Sequence, residues 1–305
     1  MTHQLKIVHS QPADLAEGPC WDVDGKLLYW VDIPAGKIHI MNLETQVEQI
    51  IAIGQQVGAI ALRKSGGAIL AAQHGLYFLD LETGEIVHLA DPEAHLPDNR
   101  FNDGKCDARG RFWAGTMSMN GKKEEGSLYC LDQDMRVRKM LGNVGVSNGI
   151  SWSPDNSIMY YIDSLTKQVN AFDYELETGE ISNPRVVVQI PEGQGVPDGM
   201  TTDTEGMLWI AQWGGYKVSR WNPMDGTLLD EIKVPAAQVT SCVFGGETLD
   251  QLFITSARQG LNPQQLSEQL YAGAVFSVQV NVKGMPLHTT ICDCSARWHS
   301  AVRYK

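Results

Sequence analysis

AEGPCWDVDGKLLYWVD, residues 16–32, carries an acid, Glu17, directly before a glycine at the head of an apolar run. The turn pair Asp24–Gly25 follows, and then a second apolar run. Turn dipeptides between β-rich runs mark hairpins. Six runs share the shape of that second one: KLLYWVDI (26–33), AILAAQH (68–74), RFWAGTM (111–117), SIMYYIDS (157–164), MLWIAQW (207–213) and QLFITSA (251–257). Five directly follow a turn pair (DG, GG, RG, DN or EG), and the sixth follows the looser GGETLD. Each leads into another strand-like run, such as KIHIMNLET or LYFLDLETG, and a third follows, such as VEQIIAI, RVVVQI or EIKV. A further run precedes each turn, as in GAIALRKSGG and GISWSPDN, so one unit holds four short strands.

Aligned on their turns, successive units begin at Glu17, near Gly58, and at Asn102, Asn148 and Asp198, spaced 41, 44, 46 and 50 residues apart. Four strands repeating every ~40–50 residues is the signature of a β-propeller. Six copies predict an all-β, six-bladed propeller with four antiparallel strands per blade. No GH…WD pair recurs, which sets WD40 repeats aside. No linker or break in composition interrupts residues 1–305, which read as a single domain. The N-terminal LKIVHS resembles the strands that precede the other units and is expected to close the ring against the last blade, removing an open sheet edge. RQGLNPQQLSEQLYAG (258–273), inserted in the last unit, reads as a surface loop flanking the pore.

Composition narrows the function. A chain of 305 residues, 43% hydrophobic and 20% charged, buries a sizeable core and is not disordered. A net charge of −12 argues against nucleic acid or an anionic membrane as partner and suits a small neutral ligand or a cation. MTHQLKIVHSQPADLAEG lacks the long apolar stretch of a signal peptide, and no run approaches a membrane span. Of six cysteines only Cys292 and Cys294 are close, as C-D-C, without the second pair of a zinc site. A reduced, cytoplasmic protein, monomeric or weakly self-associating, is expected.

The register exposes a candidate site. Glu17, Asn102, Asn148 and Asp198 each lie eight residues before the second residue of their unit's turn. The innermost strand of each blade lines a propeller's channel, so these four oxygen-bearing side chains converge on one channel mouth. N-G and D-G are also ordinary turn dipeptides, but each unit already has its turn eight residues on. Carboxylates gathered at a shared axis repel without a cation, although channel water is the bland alternative. Carboxylate and amide oxygens suit a hard divalent cation: Ca²⁺ first, with Mg²⁺ and Mn²⁺ fitting as well. No histidine shares the register, which disfavours a typical structural zinc site while leaving oxygen-bound Zn²⁺ open.

AEGPCW (16–21), RFNDGKCDARGRFWAGTM (100–117), VSNGISWSPD (146–155) and VPDGMTTDTEGMLWIAQW (196–213), in this order, resemble the SMP-30/gluconolactonase/LRE-like family along nearly the whole chain. The resemblance implies a six-bladed propeller with one divalent cation in the channel, ligated by Glu17, Asn148 and Asp198. It implies a substrate-contacting role for Arg100, a further polar contact to substrate or a bound water for Asn102, and Asp198 as general base. One departure is visible. Regucalcin-like members place acidic residues after the GTM motif, where this chain reads SMNGKKEEGS, with Ser118 and Asn120.

The implied activity is metal-dependent opening of a sugar lactone, with the cation as Lewis acid and either Asp198 or a hydroxide on the cation as the base. A phosphotriester hydrolase and a non-catalytic calcium-binding propeller are the competing readings, since fold alone does not separate them. The presence of both Asp198 and Arg100 favours an enzyme, although a lone arginine also reads as an exposed loop residue. His74 and His95 are candidates for a second base or for structural roles. Trp213 is either a sugar-stacking ring or filler between blades. No nucleophile elbow, P-loop or dinucleotide-binding glycine pattern appears.

Overall fold

The computed structural model describes residues 4–291, so the Cys292–Cys294 pair lies outside the described residues. Twenty-four strands form six four-stranded antiparallel blades. Blade six borrows its outer strand, β1 (Leu5–His9), from the other end of the chain. Blade one holds β2–β5 (Ala16–Asp22, Leu27–Asp32, Lys37–Asn42, Glu48–Ala52) and blade two β6–β9 (Val57–Leu62, Ala68–Ala72, Gly75–Leu79, Ile86–Ala90). Blade three holds β10–β13 (Asn99–Cys106, Phe112–Ser118, Gly126–Leu131, Val137–Val144) and blade four β14–β17 (Ser147–Trp152, Ile158–Asp163, Gln168–Glu175, Glu180–Gln189). Blade five holds β18–β21 (Val196–Thr202, Leu208–Trp213, Lys217–Asn222, Thr227–Lys233). Blade six holds β22–β24 (Gln238–Gly245, Gln251–Ala257, Val275–Gln279) and then β1, which pairs with β24 as expected for a closing strand.

The continuous apolar runs follow from burial on both faces. Successive side chains of a strand point to opposite faces. In β3, Tyr29 and Val31 join a core shared with blade two, while Leu28 and Trp30 join a core shared with blade six. Six such clusters fill the six joints between blades. A buried aspartate fastens the first turn in two blades. Asp203, fully buried, accepts hydrogen bonds from the backbone N–H groups of Glu205 and Met207, from Trp209 Nε1 (2.9 Å) and from Arg220 Nε (2.8 Å). Asp107 repeats the arrangement with Trp113 Nε1 at 3.0 Å.

The inner strands meet in the cyclic order β2, β6, β10, β14, β18, β22 and back to β2. Each carries a β-bulge near its start: after Glu17, Val57, Phe101, Asn148, Pro197 and Val239. A bulge adds a residue and re-aims its neighbours. The glycines there serve close approach between blades rather than turns. A β-carbon on Gly58 would lie 2.5 Å from the carbonyl oxygens of Phe101 and Asn102, one on Gly149 2.8 Å from that of Asp198, and one on Gly199 2.0 Å from Ser241 Oγ.

The 258–273 insertion departs from the loop expectation. It holds a short helix, α1 (Pro263–Glu268), because Asn262 and Gln265 form a reciprocal capping box with proline in the first turn. Its flanks are tied to Asp14 O and Ala237 N, beside the starts of β2 and β22. Residues 282–291 cross the opposite end of the inner strands. There Gly284 bridges Asp203 of blade five and Thr290 bridges Arg63 of blade two.

The close approach at the axis sets a stability test. Gly58→Ala forces backbone apart and should cost about 3 kcal/mol, whereas Gly121→Ala, with positive φ but open space around it, should cost about 1 kcal/mol. Urea midpoints of the two variants measure the difference.

Candidate functional site

The bulges place Glu17, Asn102, Asn148 and Asp198 at the starts of four inner strands, and all four are buried, 4% to 8% exposed. The predicted register therefore survives in three dimensions, and the side chains touch. Asp198 lies close enough to the Asn148 amide and the Glu17 carboxyl for each to bear on its titration. Asn148 Nδ2 donates to Ser164 Oγ at 3.0 Å, and Ser164 Oγ donates on to Pro197 O at 2.7 Å, which locks blade four to blade five beside Asp198. Arg100 is buried rather than a surface arginine. Its Nη1 donates to Asn102 Oδ1 (2.7 Å) and Phe101 O (2.9 Å). Asn102 Nδ2 donates to Ser147 O (2.8 Å), so this amide orients Arg100 and joins blade three to blade four.

Two charged neighbours were not foreseen. Asp103 and Lys105 follow Asn102 in the same inner strand, and Lys105 Nζ donates to Met200 O at 2.7 Å. Both stand in NDGK, but alternation alone sends neighbouring residues to opposite faces. Only the bulge between Phe101 and Gly104 brings Asp103 into the field of Glu17 and Asp198.

Burial and mutual charge shape the electrostatics of this group. Burial raises Glu17 well above the usual carboxylate range, and the charges of Asp198 and Asp103 add to the shift. Asp198 is raised likewise, by burial and by Asp103, against the opposing pull of Asn148, Glu17 and Arg100. Burial also raises Asp103, with Lys105 opposing. Arg100 falls to about 10 through burial, which the charges of Glu17 and Asp198 resist. Burial lowers Lys105 too, against Asp103. Three carboxyls thus share a desolvated space with two cations. Asn148 Oδ1, buried beside them, has no hydrogen-bond partner. The oxygens of Glu17, Asn148 and Asp198 make a donor set for a hard divalent cation, which would satisfy the orphaned amide oxygen and the crowded carboxylates together.

The other candidates fall elsewhere. His74 and His95 are exposed and make no contact with this group among the described residues. Trp213 is half-buried against the core shared by blades one and two, which matches the filler reading. Ser118 is buried with its hydroxyl unpartnered, and Asn120 is exposed. No helix among the described residues is long and apolar enough to cross a membrane.

Residues 15–258 match the SMP-30/Gluconolactonase/LRE-like region, and the chain belongs to that family. Rabbit regucalcin (Oryctolagus cuniculus) is 40% identical over 289 residues, covering 93% of this chain and 97% of its own. A Bacillus subtilis protein, provisionally named a sugar lactone lactonase, is 38% identical and covers 89% of this chain and 93% of its own. Regucalcin of Agrobacterium tumefaciens, described as a calcium-binding protein, superposes with a TM-score of 0.91 at 27% identity. That match covers 96% of this chain and 99% of the other.

Carboxyls raised on folding bind protons more tightly folded than unfolded. The stability this contributes is complete below their unfolded pKa and is lost as pH rises through the folded one. Chelator-treated protein should therefore melt at a higher temperature as pH falls from neutral toward the ordinary carboxylate range. Calorimetry across that window should show a smaller rise in Glu17→Gln.

Proposed function

We propose that this member of the family is a divalent-metal-dependent hydrolase that opens a sugar lactone, with Glu17, Asn148 and Asp198 as the metal ligands and calcium as the first candidate ion. Zn²⁺, Mn²⁺ and Mg²⁺ are the other ions to be tested. The observation that carries the reading is the buried set of Glu17, Asn148 and Asp198 oxygens beside an arginine fixed by Asn102. Binding a cation alone requires no buried guanidinium. A guanidinium whose Nη1 alone is engaged by protein, among the described residues, keeps Nε and Nη2 for a ring hydroxyl or for charge developing on the substrate.

When bound, the cation would supply Lewis acidity at the lactone carbonyl. The chain's own residues do the remainder. Asp198 takes a proton from the attacking water as the new C–O bond forms at the carbonyl carbon. When the ring C–O bond breaks, Asp198 returns that proton to the leaving alkoxide, giving an open hydroxy acid. Asn102 holds Arg100 at the correct angle and keeps one amide hydrogen for the substrate. Sequence net charge agrees with a small neutral substrate and with no nucleic-acid or membrane partner. In this reading residues 1–305 act as one propeller domain, cytoplasmic and monomeric or weakly self-associating.

Chelated protein should release no acid from gluconolactone or other aldonolactones, and one of the four added ions should restore release. No metal-dependent release from any lactone, with turnover of a phosphotriester instead, overturns the lactone reading. Asp198→Asn should lower kcat by about 10²–10⁴-fold. Arg100→Lys should raise KM more than it lowers kcat, because it keeps the charge and loses the fork.

A further inference from the structure

The joint between blades six and one holds a second cluster, outside the channel register and different in chemistry. His9 lies on β1, the strand that completes blade six, whereas His39 and Glu48 lie on β4 and β5 of blade one. His39 pairs with Trp30 across β3 and β4, and Glu48 sits diagonally across β4 and β5, so the three residues share one face of the blade. His39 stacks on Trp30 (centroids 4.9 Å apart, planes 10° apart), and His9 lies 5.1 Å from the same indole. One carboxylate oxygen, Glu48 Oε1, stands 2.7 Å from His39 Nδ1 and 3.2 Å from His9 Nε2. The three ligand atoms all lie within 4.8 Å of one another. The other nitrogen of His39, Nε2, is buried without a partner, so the ring is held by its stacking on Trp30 and by Nδ1 against Glu48.

We propose that His9, His39 and Glu48 form a binding site for a transition-metal cation of the Zn²⁺ type, which clamps the closing strand to blade one. Two imidazoles and one carboxylate are a donor set for zinc-like ions and a poor one for calcium, which takes six or more oxygens. Ligands ~2.0–2.2 Å from a tetrahedral ion stand about 3.3–3.6 Å apart, so the His9–Glu48 pair at 3.2 Å is nearly spaced and the His39–Glu48 pair at 2.7 Å opens by roughly 0.6–0.9 Å. Three protein ligands leave the fourth position to water, reached past Glu48, whose side chain is 20% exposed. The stacked Trp30 ring fixes the plane of His39 and thereby the direction of its Nδ1 lone pair. The site ties β1, the outer strand of blade six, to blade one, so its occupancy strengthens a joint that residues 10–15 alone span along the chain.

The test uses untagged full-length protein saturated with calcium, so that the channel is occupied by the ion proposed for it. Titration calorimetry should then register one further equivalent of Zn²⁺, with a rise in melting temperature. Co²⁺ in its place should give the intense visible bands of tetrahedral nitrogen–oxygen coordination, which an oxygen-only site does not. His9→Gln and Glu48→Gln should each weaken this uptake at least ~10²-fold and abolish the bands. Glu17→Gln should leave both intact, which separates the seam from the channel. Absence of Zn²⁺ uptake by the calcium-saturated protein, or uptake unchanged in His9→Gln, overturns the proposal.

Discussion

Six strands meet around one axis only if their backbones nearly touch, and the rest of the molecule is arranged around that contact. Gly58, Gly149 and Gly199 leave no room for a β-carbon against the neighbouring blade. The same closeness forces a bulge into every inner strand. Bulges turn neighbouring side chains toward the centre, where water is scarce. Whatever the inner strands carry at that level is therefore both convergent and desolvated. In blade two the level is occupied by glycine alone, and in blade six by Thr240, whose hydroxyl is spent on Ala16 O. Blades one, three, four and five supply the charged and amide groups.

Buried acids occur twice in this fold with opposite outcomes. Asp203 is fully buried, and two backbone N–H groups, an indole and a guanidinium satisfy it. It closes a turn. Glu17, Asp103 and Asp198 are buried too and are raised by desolvation, with the charges of neighbouring carboxylates adding to the shift of Glu17 and Asp198. The first kind of acid contributes to the fold through its donors. The second costs stability until a counter-charge arrives, so an ion that binds there stabilises the folded state by mass action. A site that strains its own scaffold is the expected companion of function.

Much of this was legible in the chain itself, for a specific reason. Turn pairs recur at a fixed distance from Glu17, Asn102, Asn148 and Asp198, and a repeated distance in sequence becomes a repeated position in a ring. The closing role of LKIVHS followed from the same pattern. Asp103 escaped because period-two alternation assigns it to the wrong face, and only a bulge corrects that. Helix α1 escaped because a six-residue helix held by a capping box leaves no hydrophobic period to read. The meaning of the glycines in N-G and D-G was hidden, since a turn and a close blade contact call for the same residue. His9, His39 and Glu48 share no register at all. They meet because β1 crosses the ring's seam, and no local pattern encodes that.

The partnership of β1 with β24 also orders events in time. Leu5 pairs with Val278, so β1 leaves the ribosome long before its partner and has none until blade six has been made. At ~5–20 residues per second that wait is roughly tens of seconds, during which blade six cannot exist as a four-stranded sheet. The five blades between them can assemble progressively, each against its predecessor. β1 must stay unpaired and unaggregated throughout, and Lys6 and His9 among its five residues break the apolar run of Leu5, Ile7 and Val8 that would otherwise wait exposed in water.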